Sequence, residues 1–153
     1  MAQLNESKLI EREIILRNLS ITGEVVETRR AMVRWLALAL GVINPGESRL
    51  SAVYVLDAML YFQFQERKDP TVAELSEYIS KTWAPINEKT LRYHLLQLQN
   101  ASIIAHAKSR YYMSLQGVAG KYDPEAWINE YFSKEIDPIK DKVITVIKEI
   151  RKR

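Results

Sequence analysis

Hydrophobic positions recur along this chain with a period that predicts helices over most of its length. Apolar residues three and four positions apart predict an amphipathic helix over 5–20 and a second helix over about 25–42. The Asn44–Gly46 turn, which contains a proline and a glycine, ends the second helix. A third helix is predicted from its N-cap Ser48 to about Glu66. This helix is apolar on nearly all sides, so we expect the N-terminal helices or a second subunit to cover it.

The next two helices have the clearest predicted starts. Thr71 is followed three residues later by Glu74, which is the sequence of a capping box, and the helix that it opens runs to about Trp83. Asn87 follows a short turn that contains a proline, and it is the predicted N-cap of a helix ending near Asn100. The inward-facing positions of that helix share one residue type: Leu91, Leu95 and Leu98.

After this helix the pattern changes to that of a β-hairpin. Two apolar, β-rich runs at 103–107 and 111–115 flank the polar tip Lys108-Ser109-Arg110. Beyond the hairpin, the pairs Asp123-Pro124 and Asp137-Pro138 each predict the start of a further helix, because proline suits the first helical position. The last helix has an apolar side: Ile139, Val143, Val146 (or Ile147) and Ile150.

These elements divide the chain into three segments. We expect an N-terminal helical extension at 1–48, a central domain at 49–122 and a C-terminal helical extension at 123–153. The order within the central domain is helix, helix, short turn, helix and basic hairpin. The sequence shows no internal repeat and no tract of low complexity.

The central domain resembles the winged helix-turn-helix superfamily, and in particular MarR- and ArsR-like regulators, over 49–117. Residues 71–79 resemble the positioning helix of these proteins. Residues 87–104, with the Tyr93-His94-Leu95 pattern, resemble the recognition helix that runs into the first wing strand, and 110–117 resembles the returning strand. The resemblance implies a mainly α fold with a small β-hairpin wing, and here with N- and C-terminal helical extensions.

Two features depart from the family pattern. Ser102 stands where the family usually has a glycine, so the preceding helix must satisfy its last carbonyls in another way. The turn between the two central helices, Lys81–Ile86, is bulkier than usual because it contains a tryptophan.

Charge is distributed unevenly along the chain. The net charge is only +3, from 22 basic and 19 acidic side chains, yet between residues 81 and 121 six basic residues stand against the single carboxylate of Glu88. A concentrated positive surface is expected for a protein that binds a polyanion. A solvated face of a stable domain would give the same pattern, so charge alone leaves both interpretations open.

The recognition helix and hairpin supply the candidate DNA-binding residues. With its leucines turned inward, the helix offers an outward face that fits the major groove, where Arg92 is the first candidate for reading a guanine, followed by Lys89 and Asn87. Lys108 and Arg110 at the hairpin tip are candidates for phosphate or the minor groove, and Lys81 for phosphate. The full set of predicted DNA-binding residues is Asn87, Lys89, Thr90, Arg92, Tyr93, Lys81, Lys108 and Arg110.

Several other classes of protein are disfavoured. The absence of cysteine excludes disulfides, thiolate zinc sites and iron–sulfur clusters, and two isolated histidines make a metal site improbable. No glycine-rich phosphate loop and no nucleophile–base set is present, so we expect no enzyme activity and no cofactor. The longest apolar run, 35–43, is far shorter than the ~20 residues of a membrane span. With no visible secretory signal, we expect a cytoplasmic protein.

The sequence therefore predicts a cytoplasmic, double-stranded DNA-binding protein that regulates transcription. We expect a homodimer, because two-fold symmetry doubles the few base contacts of one module, and we expect the apolar stripes of the N- and C-terminal helices to form its interface. The alternative is a winged helix that serves as a protein–protein interaction module in a replication, transcription or membrane-remodelling assembly. Small-molecule sensing by the flanking helices is compatible with the first interpretation.

Overall fold

The computed structural model describes residues 4–113 and 120–153. Helices make up 58% of these described residues, which also include one two-stranded antiparallel hairpin. The chain separates into two compact units, 1–46 and 47–153. The second unit therefore includes the C-terminal segment that follows residue 122.

In the first unit, most of the helix predicted over 5–20 is absent. Helix α1 spans only Glu6–Leu9, and the chain from residue 10 to 28 is irregular. The reason is that Arg17 bonds to the last turn of the second helix and to the loop after it: its backbone N–H donates to Ala39 O (2.9 Å), and its guanidinium donates to the carbonyls of Leu38 and Ile43. The bond to Ala39 O satisfies a carbonyl that a helix C-terminus leaves without an intrahelical partner. The apolar spacing of 5–20 favours a local helix and contains no information about these bonds to distant residues.

Helix α2 spans Arg29–Ala39, which is shorter at both ends than the predicted 25–42. Thr28 is its N-cap, and the Thr28 side chain accepts a hydrogen bond from Ala31 N. Beyond the helix, Gly41 has a φ of +71°, and a Cβ built there would lie 2.7 Å from Ile15 Cβ. A glycine is therefore required at this position, both for the backbone conformation and for the close approach of the irregular segment.

The second unit begins with helix α3, Ser51–Leu60, which continues directly into a π-helical turn at Tyr61–Gln65. Its N-cap is Leu50, so the prediction of Ser48 as the cap is wrong by two residues. The prediction that α3 is covered on several sides is confirmed, because five of its apolar residues are almost completely buried: Val53, Val55, Leu56, Ala58 and Met59.

Helices α4 (Val72–Thr82) and α5 (Glu88–Asn100) begin where the sequence predicted. The Thr71/Glu74 capping box is formed, and the Asn87 side chain accepts a hydrogen bond from Thr90 N (2.8 Å). The buried residues of both helices face α3, so the three helices share one core. Those residues are Leu75 and Ile79 of α4, and Leu91, Leu95 and Leu98 of α5.

The predicted hairpin is confirmed as β1 (Ile104–Ala107) and β2 (Arg110–Met113). Its tip is two residues rather than the predicted three, because Arg110 pairs with Ala107 as the first residue of β2. Both loop residues, Lys108 and Ser109, have positive φ values (+53° and +63°), as a type I′ turn requires. Tyr111 N also donates to Pro70 O (2.8 Å), which ties β2 to the segment before α4. The end of the predicted returning strand, 114–117, lies outside the described residues.

The C-terminal segment forms one helix, α6 (Pro124–Lys152), rather than two. Its predicted start is confirmed, with Asp123 as N-cap and Pro124 at the first position. The predicted second start at Asp137-Pro138 is wrong, because Pro138 lies inside the helix. All residues from 136 onward are exposed, so water can hydrate the carbonyl that loses its N–H partner.

Candidate nucleic-acid interface

Helix α5 presents its predicted outward face to solvent. Lys89, Arg92 and Tyr93 are exposed, and so is Leu96, on the side of the helix opposite its three buried leucines. Gln99, three residues beyond Leu96, is half-buried. The exposed face therefore combines two cations with an aromatic and an aliphatic side chain.

The two polar residues at the start of α5 have local roles in the helix. The Asn87 side-chain oxygen is occupied by the cap bond from Thr90 N, which leaves the Asn87 amide nitrogen as a donor. Thr90 is half-buried, and its N–H is already used in the cap. Of these two predicted site residues, Asn87 is thus the better placed to donate a hydrogen bond to another molecule.

Arg92 is paired along its own helix. Its Nη2 lies 3.3 Å from Glu88 Oε1, and both side chains are more than half exposed. An exposed pair four residues apart on a helix is worth only about 0.3–0.5 kcal/mol. A phosphate or a guanine can therefore replace Glu88 as the partner of Arg92 at little cost.

The lysines of the predicted site differ in whether they already pair with an acidic side chain. Lys89 and Lys108 are exposed and form no ion pair with any residue that the structure describes. Lys81 is exposed but hydrogen-bonds Glu77 (2.8 Å), and this bond lowers the pKa of the Glu77 carboxyl. The side chains of Lys89 and Lys108 are the most available to a new anionic partner.

Arg110 holds the hairpin in place. Its Nη1 donates to Asp69 O (2.8 Å) and lies 3.5 Å from Glu74 Oε1. Hydrogen bonding from Lys68 is the main cause that lowers the pKa of Glu74, so this carboxylate is charged at neutral pH. Arg110 is therefore committed to two internal partners, although half of its side chain is exposed.

Lys121 does not add to the exposed positive surface. It pairs with Asp69 at 2.5 Å, and only a quarter of its side chain is exposed. Burial works against its charge, but the hydrogen bond and the charge of Asp69 outweigh burial and raise its pKa. The positive surface is consequently smaller than the charge count over 81–121 indicates.

A buried carboxylate, which the sequence analysis missed, fixes the bulky turn between α4 and α5. Asp57 of α3 is fully buried, and its Oδ2 accepts hydrogen bonds from Tyr78 Oη and Trp83 Nε1, both at 2.8 Å. Trp83 also stacks on Tyr54, with ring centroids 4.8 Å apart. The unusual tryptophan of this turn thus anchors it to α3. The sequence contained one signal for this buried carboxylate: Asp57 is the only charged residue in the apolar run 52–62.

A second buried polar residue, also missed, ties the hairpin to the helices. Gln63 lies in the π-helical turn, and its Nε2 donates to Lys68 O and to Asp69 Oδ1, each at 2.8 Å. Its Oε1 accepts from Met113 N of β2 at 2.9 Å. Both N–H donors and the oxygen of this buried amide therefore have partners, and Gln63 sets the position of the hairpin relative to α3.

Ser102, which stands where the winged helix-turn-helix proteins that this chain resembles usually have a glycine, ends α5. It adopts a φ of +61°, the conformation that a glycine takes at the end of many helices. Ile103 N donates to Leu98 O and Ser102 N donates to Gln99 O, which are the two bonds of a Schellman motif. The serine therefore ends α5 in the same way that a glycine would, in a less favourable backbone conformation.

Three further observations bear on function. Among residues 4–113 and 120–153, no group of three or more histidine, aspartate or glutamate side chains is arranged to hold a metal ion. None of the helices in this described part combines the length and the apolar character that a membrane crossing needs. Comparison with known protein families, with curated proteins and with solved structures finds no match to this chain.

Proposed function

We propose that this chain is a winged helix-turn-helix protein that binds double-stranded DNA and regulates transcription, with α5 as its recognition helix. The observation that carries the proposal is the face of α5: Lys89, Arg92 and Tyr93 are exposed opposite a fully buried leucine side. A helix anchored in this way can enter the major groove without disturbing the core.

Arg92 is the residue proposed to read a base. An arginine can bind the two acceptors of a guanine at once, and losing such a contact costs ~1–3 kcal/mol. Its present partner, Glu88, is held weakly, and once released Glu88 can accept a hydrogen bond from a cytosine amino group. Lys89 and the Asn87 amide nitrogen are proposed to contact phosphate or base edges beside it.

The hairpin is proposed to act as the wing. Its exposed tip residue Lys108 makes no ion pair within the described chain and is proposed to contact phosphate. The bond from Tyr111 N to Pro70 O supports this assignment, because it holds β2 beside the segment that precedes α4. Arg110, which holds Asp69 and Glu74, is proposed to support the wing and to contribute only secondarily to DNA contact.

The test is a binding selection from random duplexes at ~0.15 M salt. The interface variant carries Lys89→Ala and Arg92→Ala, and the matched control carries Lys148→Ala and Arg151→Ala, which remove the same charge from exposed positions of α6. We expect one motif to be enriched by the unaltered chain and by the control, and lost with the interface variant. Failure to enrich any motif, or enrichment that survives in the interface variant, contradicts the proposal.

A second candidate is a protein-docking module, and a specific observation favours it. Tyr93 and Leu96 are 57% and 51% exposed on the same face of α5, and large apolar side chains of this kind are common in protein interfaces. Duplex binding that is weak and insensitive to salt, together with a function that survives Arg92→Ala and Lys108→Ala, would favour this candidate over DNA binding.

A further inference from the structure

The C-terminal half of α6 has an apolar stripe with coiled-coil spacing. Successive members are four, three, four, three and four residues apart, and each is between 36% and 67% exposed. From residue 136 to the end of the chain every side chain is exposed. The members of this stripe, which we call the α6 stripe, are Phe132, Ile136, Ile139, Val143, Val146 and Ile150.

We propose that the α6 stripe pairs with the same stripe of a second copy of this chain to form a parallel, in-register, two-stranded coiled coil. The spacing assigns Ile136, Val143 and Ile150 to the a positions of a heptad, and Phe132, Ile139 and Val146 to the d positions. At the flanking e and g positions only Ile147 is apolar, whereas Glu135, Lys140, Lys142 and Glu149 are charged, which leaves the narrow a and d seam of a two-stranded coiled coil. Ile147, at an e position, widens the apolar seam.

Charge repulsion disfavours the antiparallel orientation of equal length. In the parallel register, neither Lys140 at e nor Lys142 at g faces its own copy across the seam: Lys142 lies beside the apolar Ile147, and Glu135, the g residue nearest Lys140, is 6% exposed and held by its own chain. An antiparallel pair that buries all six layers places Lys140 against Lys140 and Lys142 against Lys142. Like charges along a seam are unfavourable, so the full-length antiparallel pair is disfavoured.

A shifted antiparallel register removes this repulsion, because it places Lys142 beside Glu149. That register buries only the four layers from Ile139 to Ile150 and leaves the exposed parts of Phe132 and Ile136, 43% and 36% of each side chain, in water. The parallel register removes this apolar surface from water in both copies, which outweighs the small contribution of an exposed ion pair. The parallel register therefore retains the larger favourable contribution.

Pro138 is compatible with this pairing. It falls at a c position, on the face of α6 that points away from the seam, so its missing N–H does not interrupt the a and d layers. The basic end Arg151–Arg153 lies beyond the last apolar layer, where the two helices are free to separate.

The coiled coil also accounts for part of the dimer surface expected from the sequence. It assigns that surface to the C-terminal helix alone, because the N-terminal segment does not form the predicted helix. The proposal does not depend on DNA binding, since it uses no residue of α5 or of the hairpin. A failed DNA selection would therefore leave it standing, and a monomeric chain would leave the DNA proposal testable.

The oligomeric state of the full chain is the first test. We expect sedimentation equilibrium over about 1–100 µM to show a dimer, and Val143→Glu to weaken dimerisation at least about ten-fold. Thr145→Glu, which places the same charge at an exposed position outside the seam, should leave the dimer intact. A chain that is monomeric throughout, or a dimer indifferent to Val143→Glu, overturns the proposal.

Orientation is tested by a single cysteine, since the chain has none of its own. With Ile150→Cys, the two sulfurs meet in the parallel register, and mild oxidation should link the copies covalently. Antiparallel registers separate the two residues by ~16 Å or more along the axis, beyond the reach of a disulfide. Lys148→Cys, outside the seam, should not link. A dimer that fails to crosslink at residue 150 overturns the parallel register.

Discussion

Ser102 shows how much one backbone conformation matters at the end of α5. A residue with a Cβ pays about 1–2 kcal/mol for the left-handed conformation that Ser102 adopts. The chain nevertheless ends α5 there, because the Schellman bonds and the burial of Ile103 and Leu98 offset this cost.

We therefore expect Ser102→Gly to stabilise the protein by about 1 kcal/mol, as measured by urea unfolding. Asn100→Gly, two residues earlier at the last position of the helix, is the matched control and should destabilise it slightly, by about 0.3 kcal/mol. If Ser102→Gly lowers stability instead, the interpretation of the cap is wrong.

His94 gives the protein a dependence on pH that can be tested with a single substitution. The residue is half-buried, with Nε2 3.1 Å from Ser51 Oγ, and burial lowers its pKa despite the opposing charge of Glu47. Because the unfolded chain then binds a proton more readily than the folded one, stability falls as pH drops below about 6.5, the usual histidine pKa.

Urea unfolding between pH 7.5 and 5 should show this loss in the unaltered chain and a smaller loss in His94→Gln. Glu74 and Glu77 do not interfere in this pH range. Their lowered pKa values mean that these carboxylates take up protons, and thereby affect stability, only under more acidic conditions. His106→Gln, at the only other histidine and an exposed one, is the control. Equal pH dependence in both variants would contradict the role of burial at His94.

At the scale of elements, Pro138 costs α6 a hydrogen bond within an otherwise regular helix. A proline in a helix interior costs about 3 kcal/mol, and the exposed C-terminal half of α6 has few packing contacts to offset it. In the monomer, local opening of this half should therefore be easy relative to the buried first turns around Trp127 and Tyr131, and the proposed coiled coil would oppose it.

Pro138→Ala should slow amide hydrogen exchange over 139–146 by about ten- to a hundred-fold, because it restores the missing bond. Pro124→Ala, at the first position of the same helix, should have little effect, since no N–H is needed there. Unchanged exchange in Pro138→Ala would show that the proline does not limit the stability of this half.

The elements that the sequence predicted well are those with local signals. The Thr71/Glu74 box, the Asn87 cap and the hairpin each depend on residues close together in the chain, and each is present in the structure. The predicted helix over 5–20 failed for the opposite reason: Arg17 binds carbonyls more than twenty residues away.

At the scale of the whole molecule, the net charge of +3 is a poor guide to anion binding. The number of basic side chains without an internal acidic partner is a better one. Lys121 and Arg110 are held by Asp69 and Glu74, while Lys89 and Lys108 have no such partner in the described chain. DNA binding, as proposed, should therefore depend on fewer phosphate contacts than the six basic residues of 81–121 suggest.

This expectation can be measured as the slope of log affinity against log salt, which changes by about 0.9 per phosphate contact. Lys108→Ala should make the slope shallower by about one contact, and Lys148→Ala in α6 should leave it unchanged. A slope that Lys108→Ala does not alter would remove the hairpin tip from the proposed interface.

The sequence by itself determined the order of the central helices, their caps, the hairpin and the buried leucine side of α5, because hydrophobic period and cap chemistry act over a few residues. Only the tertiary structure decided that Asp57 and Gln63 are buried polar anchors, that 10–28 is irregular and that α6 is continuous through Pro138. In each of these cases the deciding interaction is a contact between distant segments, or exposure to solvent, and a local pattern contains neither.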